Sequence, residues 1–534
     1  MLECPNCGGN VKFDIPSQQI ACEYCGTKVD PYSFENKTSD AEEVQDPENY
    51  EVTIFTCPQC GGEILSTDNA AAGFCSFCGA STILYSRISK EHRPDYIIPF
   101  KKTKDDCKQA FSNMMKKAIF APKELKDPTK IDGFRGIYMP YWAFYETQRG
   151  PIKLKAEKSH RRGDYIYTDH YELTGNMDCY YKGLSYDASS SFADNISETI
   201  APYDVKGMKA FTPAFLSGFY ADTADVPSEV YRQEAEMIAY DQSVSQIKSE
   251  PAFRGYSIDS ASFAQNSEKI NTHTESVDQA MFPVWFMSYR NGDRVAYATV
   301  NGQTGKVVAD LPVDMKRFLA GSLILAIPLF MILNLFFTVI PSVALSVTGV
   351  LAAISLIISC ISITKIARRE NDEEDRGILS KTDNGKPAEL NRRSTKKEGK
   401  QKKTYSSVWV IMGLYLLVLL GLSASMIMTQ MMGKGWIWIG ILLTGFICAI
   451  IAFPKIGEVP GQKGRIGMIA TLCGITLGTA ITIWKPVSDL YYYAAIIVLI
   501  AGIFVAEKEI MEQYNLLATR RLPQFDKQGG DDRA

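Results

Sequence analysis

The chain has 534 residues, which is long enough for several domains, and its formal net charge of −3 excludes a protein that is strongly acidic or basic as a whole. Its mean hydropathy of −0.08 is that of a soluble protein, but this average hides a division of the sequence. Residues 1–317 are polar and rich in tyrosine and phenylalanine, whereas residues 318–506 are dominated by apolar runs. We therefore expect a multidomain protein with a soluble N-terminal part and a membrane-embedded C-terminal part.

Eight cysteines near the N-terminus form two copies of one pattern. Each copy reads C-P-x-C-G-G, then twelve residues, then C-x-x-C-G, and the second copy is the first shifted by 53 positions. Each C-x-x-C pair can offer two thiolates to one ion, and two pairs complete a tetrahedral four-sulfur site, which favours zinc. We expect two small β zinc ribbons, at residues 1–30 and 57–86, separated by an acidic linker at 31–56. The predicted ligands of the two zinc ions are Cys4, Cys7, Cys22 and Cys25 in the first ribbon and Cys57, Cys60, Cys75 and Cys78 in the second.

A disulfide framework and a redox C-x-x-C motif are the alternatives to zinc. The chain begins Met-Leu-Glu-Cys without an apolar stretch, so we expect no signal peptide, and C-x-x-C pairs followed by glycine are typical of metal knuckles. A redox motif would open a helix of a βαβ unit, and the sequence around these cysteines lacks that context. Zinc in a reducing compartment is the favoured interpretation.

Residues 90–315 predict a cytoplasmic α+β domain. A strand is expected at Asp95–Phe100, an amphipathic helix at Lys104–Phe120 and antiparallel strands from Gly136 to Tyr186. Helix-forming residues follow at Pro227–Ser249, and two Asn-Gly pairs within residues 281–310 predict a meander of strands. The domain is thus expected to begin and end with strands.

Six apolar stretches in the C-terminal part predict an all-α membrane domain of six helices, because about 20 apolar residues cross a bilayer. We expect helices 1–2 in residues 318–364 and helices 3–6 in residues 408–506. The intervening loop at 365–407 carries 13 Lys/Arg against 8 Asp/Glu. Since cytoplasmic loops are enriched in Lys and Arg, we expect a multi-pass protein of the cell membrane with both termini, including the 507–534 tail, in the cytoplasm. The stretches are 318–340, 342–364, 408–432, 436–453, 466–484 and 490–506.

The second half of the 365–407 loop is strongly basic. Residues 391–403 contain seven Lys/Arg and one acidic residue. Such a segment beside a membrane span attracts anionic lipid, although the enrichment of cytoplasmic loops in cations explains it equally. We therefore expect this loop to contact membrane lipid, but we do not expect lipid binding to be its main role.

The sequence contains no recognisable catalytic motif, and we predict that the protein is not an enzyme. Its four histidines form no spaced metal-binding motif, and no nucleophile elbow, phosphate-binding loop or dinucleotide-binding motif follows a strand. Asp164 and Asp169 lie among tyrosines, which favours a solvated strand face over a carboxylate site. None of the six apolar stretches contains a charged residue or a histidine, and this disfavours a transporter or a membrane enzyme.

Three segments of the middle domain, taken with the paired ribbons, carry a family resemblance. They are F-R-G-I-Y-M-P-Y-W at 134–142, F-T-P-A-F-L-S-G-F-Y at 211–220 and V-N-G-Q-T-G-K-V-V at 300–308. Together they resemble bacterial TFIIB-type zinc-ribbon membrane proteins, which are often named after a primosomal helicase. The resemblance covers about residues 1–315, and the family's members carry fewer spans than six. It implies a membrane-stress module whose partners are a flotillin-type (SPFH) protein and a phage-shock-protein-A-like protein.

Charge separates the two main functional hypotheses, a membrane-anchored adaptor or scaffold that recruits cytoplasmic proteins and a membrane-tethered nucleic-acid-binding protein. Residues 1–85 contain three lysines, no arginine and thirteen acidic residues, a net charge of −10. Nucleic-acid binding needs cations that displace counterions from phosphate. Tyr24 and Phe77, inside the knuckles, could stack on bases, but such residues more often cover the metal site. The sequence therefore favours the adaptor, with nucleic acid disfavoured as a partner.

Overall fold

A computed structural model gives the architecture. It describes residues 3–34, 49–66, 75–80, 85–127, 131–259, 263, 272–336, 340–371 and 435–523. The apolar stretch 408–432, most of the 365–407 loop with its basic segment 391–403, and the end of the 507–534 tail lie outside these residues.

The first ribbon is a small antiparallel sheet of three strands. These are β1 (Val11–Asp14), β2 (Gln19–Cys22) and β3 (Lys28–Val29). A single 3-10 turn at Pro31–Phe34 follows. This architecture agrees with the expected β ribbon at residues 1–30.

The remaining strands belong to one large sheet of thirteen strands. Its central path runs β10-β7-β13-β8-β11-β5-β4-β6, and β9, β12, β14, β15 and β16 pair at its sides. The strands are β4 (Asn49–Thr56), β5 (Glu63–Ser66), β6 (Tyr85–His92), β7 (Tyr96–Ile97), β8 (Arg135–Arg162), β9 (Tyr165–Asp187), β10 (Lys209–Ala210), β11 (Tyr220–Ala221), β12 (Ser257–Ile258), β13 (Thr272–Asn291), β14 (Arg294–Asn301), β15 (Val307–Ala309) and β16 (Arg520–Arg521).

The second ribbon is part of this large sheet rather than a separate module. Strand β4 occupies residues 49–56, which were expected to belong to the acidic linker at 31–56. Its alternating residues Tyr50, Val52 and Ile54 are buried, a period-2 pattern that the acidic composition of the segment obscured. Strand β5 pairs with β4 on one side and with β11 of the middle domain on the other. The boundary expected between the second ribbon and the domain is therefore absent from the described residues.

The middle domain is α+β, and its elements lie close to the predicted ones. The expected strands between Gly136 and Tyr186 form one long hairpin, β8 and β9, which turns at Gly163 with a φ of 65°. Three helices accompany the sheet in the described residues: α1 (Lys104–Lys117), α2 (Asp194–Ile200) and α3 (Glu229–Ser249). Helix α1 begins with a capping box between Thr103 and Asp106, which satisfies its first backbone N–H groups.

The C-terminal part is a bundle of long apolar helices. Four helices of the described residues are long and apolar enough to cross a membrane, with mean hydropathies between 1.9 and 2.3. They match the stretches expected at 342–364, 436–453, 466–484 and 490–506. The stretch expected at 318–340 falls on helix α4 (Met315–Phe336), and the residues that the structure describes do not show the six expected membrane helices. The four apolar helices are α5 (Pro341–Glu370), α6 (Gly435–Ile456), α7 (Arg465–Trp484) and α8 (Asp489–Leu517).

Glycines let one large side chain occupy the centre of the bundle. Trp438 of α6 is completely buried. A Cβ atom at Gly349 of α5 would lie 2.7 Å from the Trp438 ring, and a Cβ atom at Gly478 of α7 would overlap the same ring. Gly474, the other glycine of the G-x-x-x-G in α7, lies against Leu499 of α8. Small residues here allow close helix packing, as they do between membrane helices in general.

Candidate metal centres

Glycine fixes the backbone of all four C-x-x-C knuckles. The residue after the second cysteine of each knuckle is a glycine with φ between 68° and 74°, a conformation that side chains with a Cβ atom rarely adopt. The N–H of this glycine donates to the carbonyl of the first cysteine at 2.9–3.0 Å. The repeated C-x-x-C-G pattern thus produces four equivalent turns that direct their thiols to one side. The glycines are Gly8, Gly26, Gly61 and Gly79.

The eight predicted ligands gather into two groups of four. Within each group the sulfur atoms all lie within 4.8 Å of one another. Cys7 Sγ lies 3.4 Å from Cys22 Sγ in the first group, and Cys57 Sγ lies 3.8 Å from Cys78 Sγ in the second. Four sulfurs about 2.3 Å from a tetrahedral zinc ion are separated by about 3.8 Å. All eight cysteines are free thiols, so both centres are compatible with zinc and neither contains a disulfide.

The first centre keeps half of its ligands exposed. Cys4 and Cys22 are buried, whereas Cys7 and Cys25 are exposed. Thr27 Oγ1 lies 3.1 Å from Cys25 Sγ, and the side-chain and backbone hydrogen bonds from Thr27 lower the pKa of Cys25 to about 6. Tyr24, inside the second knuckle, is 76% exposed.

The opposite face of the first ribbon packs on the middle domain. The Phe13 ring lies 5.3 Å from the Phe215 ring, and the Phe13 N–H donates to the Ser217 carbonyl at 3.0 Å. The Gln18 side chain donates to the Phe100 carbonyl at 2.8 Å. The ribbon is therefore docked through one face, and the knuckle tips with Tyr24 remain free.

The two lysines of the first ribbon are already paired with carboxylates. Lys12 Nζ lies 2.8 Å from Glu23, and Lys28 Nζ lies 2.9 Å from Asp14. These are the only cationic side chains among residues 3–34. The exposed surface of this ribbon thus offers no unpaired cation to a phosphate.

The second centre is enclosed by the large sheet. All four of its cysteines are buried. Phe77, which stands where Tyr24 stands in the first ribbon, is completely buried, with its ring 6.2 Å from the Phe286 ring of β13. A Cβ atom at Gly79 would lie 3.3 Å from Arg290 Cβ. This centre is therefore part of the domain core and presents no knuckle to a partner.

The three segments that carry the family resemblance pack around Phe100. The Phe100 ring stacks on Phe219 at 4.5 Å, and a Cβ atom at Gly136 or Gly302 would lie within 3.3 Å of Phe100 or Phe219. The segment at 211–220 also supplies Phe215, on which the first ribbon docks. These segments are therefore packing elements, and the sequence alone did not reveal that one of them holds the ribbon.

The other candidate groups form no constellation in the described residues. Asp169 lies 3.6 Å from His160 on the exposed β8–β9 hairpin, as expected for a solvated strand face. Cys107 is buried, and burial raises the pKa of its thiol. Sequence reasoning missed Asp222, a buried carboxylate that accepts hydrogen bonds from the Ser189 hydroxyl at 2.6 Å and from the Ser191 hydroxyl. Burial raises the pKa of Asp222 to about 7.

Comparison with known proteins gives one informative similarity. "Uncharacterized protein YdjG" of Bacillus subtilis (strain 168) is 29% identical over 324 residues, which cover 60% of this chain and 92% of that protein. No family model and no solved structure matches the chain. The resemblance to TFIIB-type zinc-ribbon membrane proteins therefore stays a prediction.

Proposed function

We propose that this protein is a membrane-anchored zinc-ribbon adaptor whose first ribbon binds a cytoplasmic protein partner. The observation that carries the proposal is the different placement of two centres with the same cysteine pattern. Cys57, Cys60, Cys75 and Cys78 are all buried, whereas Cys7 and Cys25 of the first centre are exposed. The knuckles of the second ribbon are buried in the folded domain and cannot contact a partner. The exposed knuckle tips of the first ribbon are available for recognition.

Zinc is the metal that we propose for both centres. Four thiolates at tetrahedral spacing suit this ion, and a structural zinc site contributes directly to the folding of its ribbon. The ions would crosslink the two knuckles of each ribbon and hold their turns in place. We propose no catalytic role for either centre, since each would supply a closed set of four protein ligands.

The surface that the first ribbon offers to a partner is acidic and aromatic. Tyr24 offers an exposed ring. Residues 3–34 contain four acidic residues against two lysines, and both lysines are paired with carboxylates. A basic segment of a protein fits this chemistry, and a nucleic acid does not, because phosphate binding needs free cations. A flotillin-type or phage-shock-protein-A-like protein in a membrane-stress response is the partner class implied by the family resemblance.

A six-helix membrane domain with its basic end in the cytoplasm is supported by the arrangement of the described helices. Asn371, which follows α5, donates to Glu458, which follows α6, at 3.2 Å. The C-terminal ends of α5 and α6 therefore lie at the same end of the bundle. If both helices span a membrane, the chain between residues 371 and 435 must cross it an odd number of times. We propose that the apolar stretch 408–432 makes this crossing.

The same end of the bundle carries most of its cations. It contains Arg368 and Arg369, Lys455, and Lys463 and Arg465, and it contacts the middle domain through Arg294 and Glu370. This distribution supports a cytoplasmic location for the ribbons and the middle domain. Exposed apolar side chains such as Ile450 and Ile497 on the outer helix surface suit contact with lipid.

Photo-crosslinking in the full-length protein tests the adaptor function. A photoreactive amino acid replaces Tyr24, and a matched control replaces Gln242, which is exposed on α3. We expect a discrete protein crosslink from position 24 and none from position 242. Recovery of nucleic acid from position 24, or equal products from both positions, would contradict the proposal.

A further inference from the structure

Three parts of the molecule meet at one buried carboxylate. Glu370, the last residue of α5, has an 8% exposed side chain. Arg294 Nη2 of β14 lies 2.9 Å from Glu370 Oε1, and Arg521 Nε of β16 lies 3.0 Å from Glu370 Oε2. The membrane bundle, the large sheet and the chain after the last helix are thus joined at this residue.

Strand β16 attaches the end of the last helix to the sheet. Arg521 pairs with Arg294, and Arg520 pairs with Val295, in an antiparallel register. The Arg294 guanidinium also donates to the Leu516 carbonyl at 3.0 Å and to Thr519 Oγ1 at 2.8 Å. Backbone and side-chain hydrogen bonds therefore hold the C-terminal end of α8 against β14.

A continuous series of contacts leads from β16 to the second metal centre. The Arg520 guanidinium lies 5.6 Å from the centre of the Tyr297 ring, and this ring lies 5.0 Å from that of Phe286. Phe286 in turn contacts Phe77, inside the second knuckle of the second ribbon. Leu522, directly after β16, packs against the same apolar cluster, which includes the four cysteines of that centre.

The first metal centre has different surroundings. Its buried ligands Cys4 and Cys22 belong to another apolar cluster, together with Phe215 and Phe100. The two centres therefore provide an internal comparison, because a disturbance of β16 reaches the surroundings of only one of them.

We infer that the second metal centre and the end of the last membrane helix are energetically coupled through β16. Displacement of α8 loosens the packing around Tyr297, Phe286 and Phe77 and makes the metal easier to release. Coupling between two sites is reciprocal, so loss of the metal weakens the attachment of β16 to β14. The membrane domain thereby regulates the stability of a metal centre in the cytoplasmic domain. This inference rests on the proposed metal binding but does not depend on the partner of the first ribbon.

Site-resolved cysteine alkylation tests one direction of the coupling. The zinc-loaded full-length protein in detergent micelles is exposed to a chelator and an alkylating reagent, and mass spectrometry follows each cysteine. In the variants Arg520→Ala and Leu522→Ala we expect the four cysteines of the second centre to be alkylated faster, by roughly five- to 150-fold, the range typical of coupled sites. The cysteines of the first centre should react at the wild-type rate.

Arg149→Ala, on the exposed hairpin, is the control variant. Wild-type rates at the second centre in both tail variants would overturn the inference.

Hydrogen exchange tests the other direction, and its main comparison uses the wild-type protein with and without zinc. The amides of residues 517–522 are compared before and after removal of zinc, and Cys22→Ser serves as a protein in which only the first centre is lost. We expect faster exchange of this segment when the second centre is emptied and no change in Cys22→Ser. Equal protection with and without metal at the second centre would overturn the inference. A direct zinc analysis of the starting protein shows separately whether the proposed metal binding itself fails.

Discussion

Tyr24 and Phe77 occupy the same position of a repeated cysteine pattern, yet Tyr24 is 76% exposed and Phe77 is completely buried. The Phe77 ring contacts Phe286 of β13, whereas the Tyr24 ring lies over Gly9 of its own ribbon. Two knuckles with the same cysteine pattern therefore have different surroundings. One completes the core of the α+β domain, and the other presents an aromatic side chain to the solvent.

Replacement of these two aromatic residues by alanine should have unequal effects on stability. Phe77→Ala removes a buried ring, and we expect the free energy of unfolding to fall by about 3–5 kcal/mol. Tyr24→Ala removes an exposed ring, and we expect a change within about 0.5 kcal/mol. Chemical unfolding of the full-length variants in detergent micelles measures both. A large loss in Tyr24→Ala would show that the first ribbon needs this ring for folding and is not free to use it for binding.

The packing of Trp438 predicts a specific coupling in the bundle of apolar helices. The methyl group introduced by Gly478→Ala would overlap the Trp438 ring. We expect this overpacking to lower the free energy of unfolding by about 1–3 kcal/mol. Gly440→Ala is the matched control, because no atom of another helix lies within 4 Å of a Cβ atom at Gly440. Trp438→Phe should recover part of the loss in the Gly478→Ala background, since the smaller ring makes room for the methyl group. Additive effects of the two substitutions in thermal unfolding would disprove this contact.

Asp222 predicts a pH dependence of stability. Burial raises its pKa to about 7 in the folded protein, whereas the pKa of aspartate in an unfolded chain is about 4. The folded state thus binds this proton more tightly, and the contribution of Asp222 to stability is greatest below pH about 4 and is lost as the pH rises through about 7. Asp222→Asn cannot titrate, so the free energy of unfolding should fall less between pH 5.5 and pH 8 than in the wild type. Parallel profiles for the two proteins would refute the assignment.

The metal knuckles and the regular elements could be predicted from the sequence because their signals are local. The cysteine spacing, the glycines after each knuckle and the apolar stretches each lie within a short segment. The α1 and α3 helices likewise begin and end close to the expected residues. Strand β4 was missed because acidic residues dominated the composition of residues 31–56, although Tyr50, Val52 and Ile54 alternate as strand residues do.

The different burial of the two centres could not be predicted, because it depends on contacts between distant parts of the chain. Phe77 is covered by Phe286, and the first ribbon is held by Phe215. Arg521 contacts Glu370, which lies about 150 positions earlier in the sequence, because α8 ends next to the large sheet. No periodicity or residue spacing within either ribbon indicates that these contacts form.

The central claim is that the second metal centre is part of the domain core, whereas the first belongs to a ribbon that is attached to the surface of the domain. Cys22→Ser and Cys75→Ser test it most directly, because these cysteines occupy equivalent positions of the two copies. Zinc content and cooperative unfolding are measured on both full-length variants. We predict that each variant binds one zinc ion instead of two, that Cys22→Ser keeps the wild-type unfolding transition of the α+β domain, and that Cys75→Ser loses it. Equal unfolding behaviour of the two variants would contradict the account.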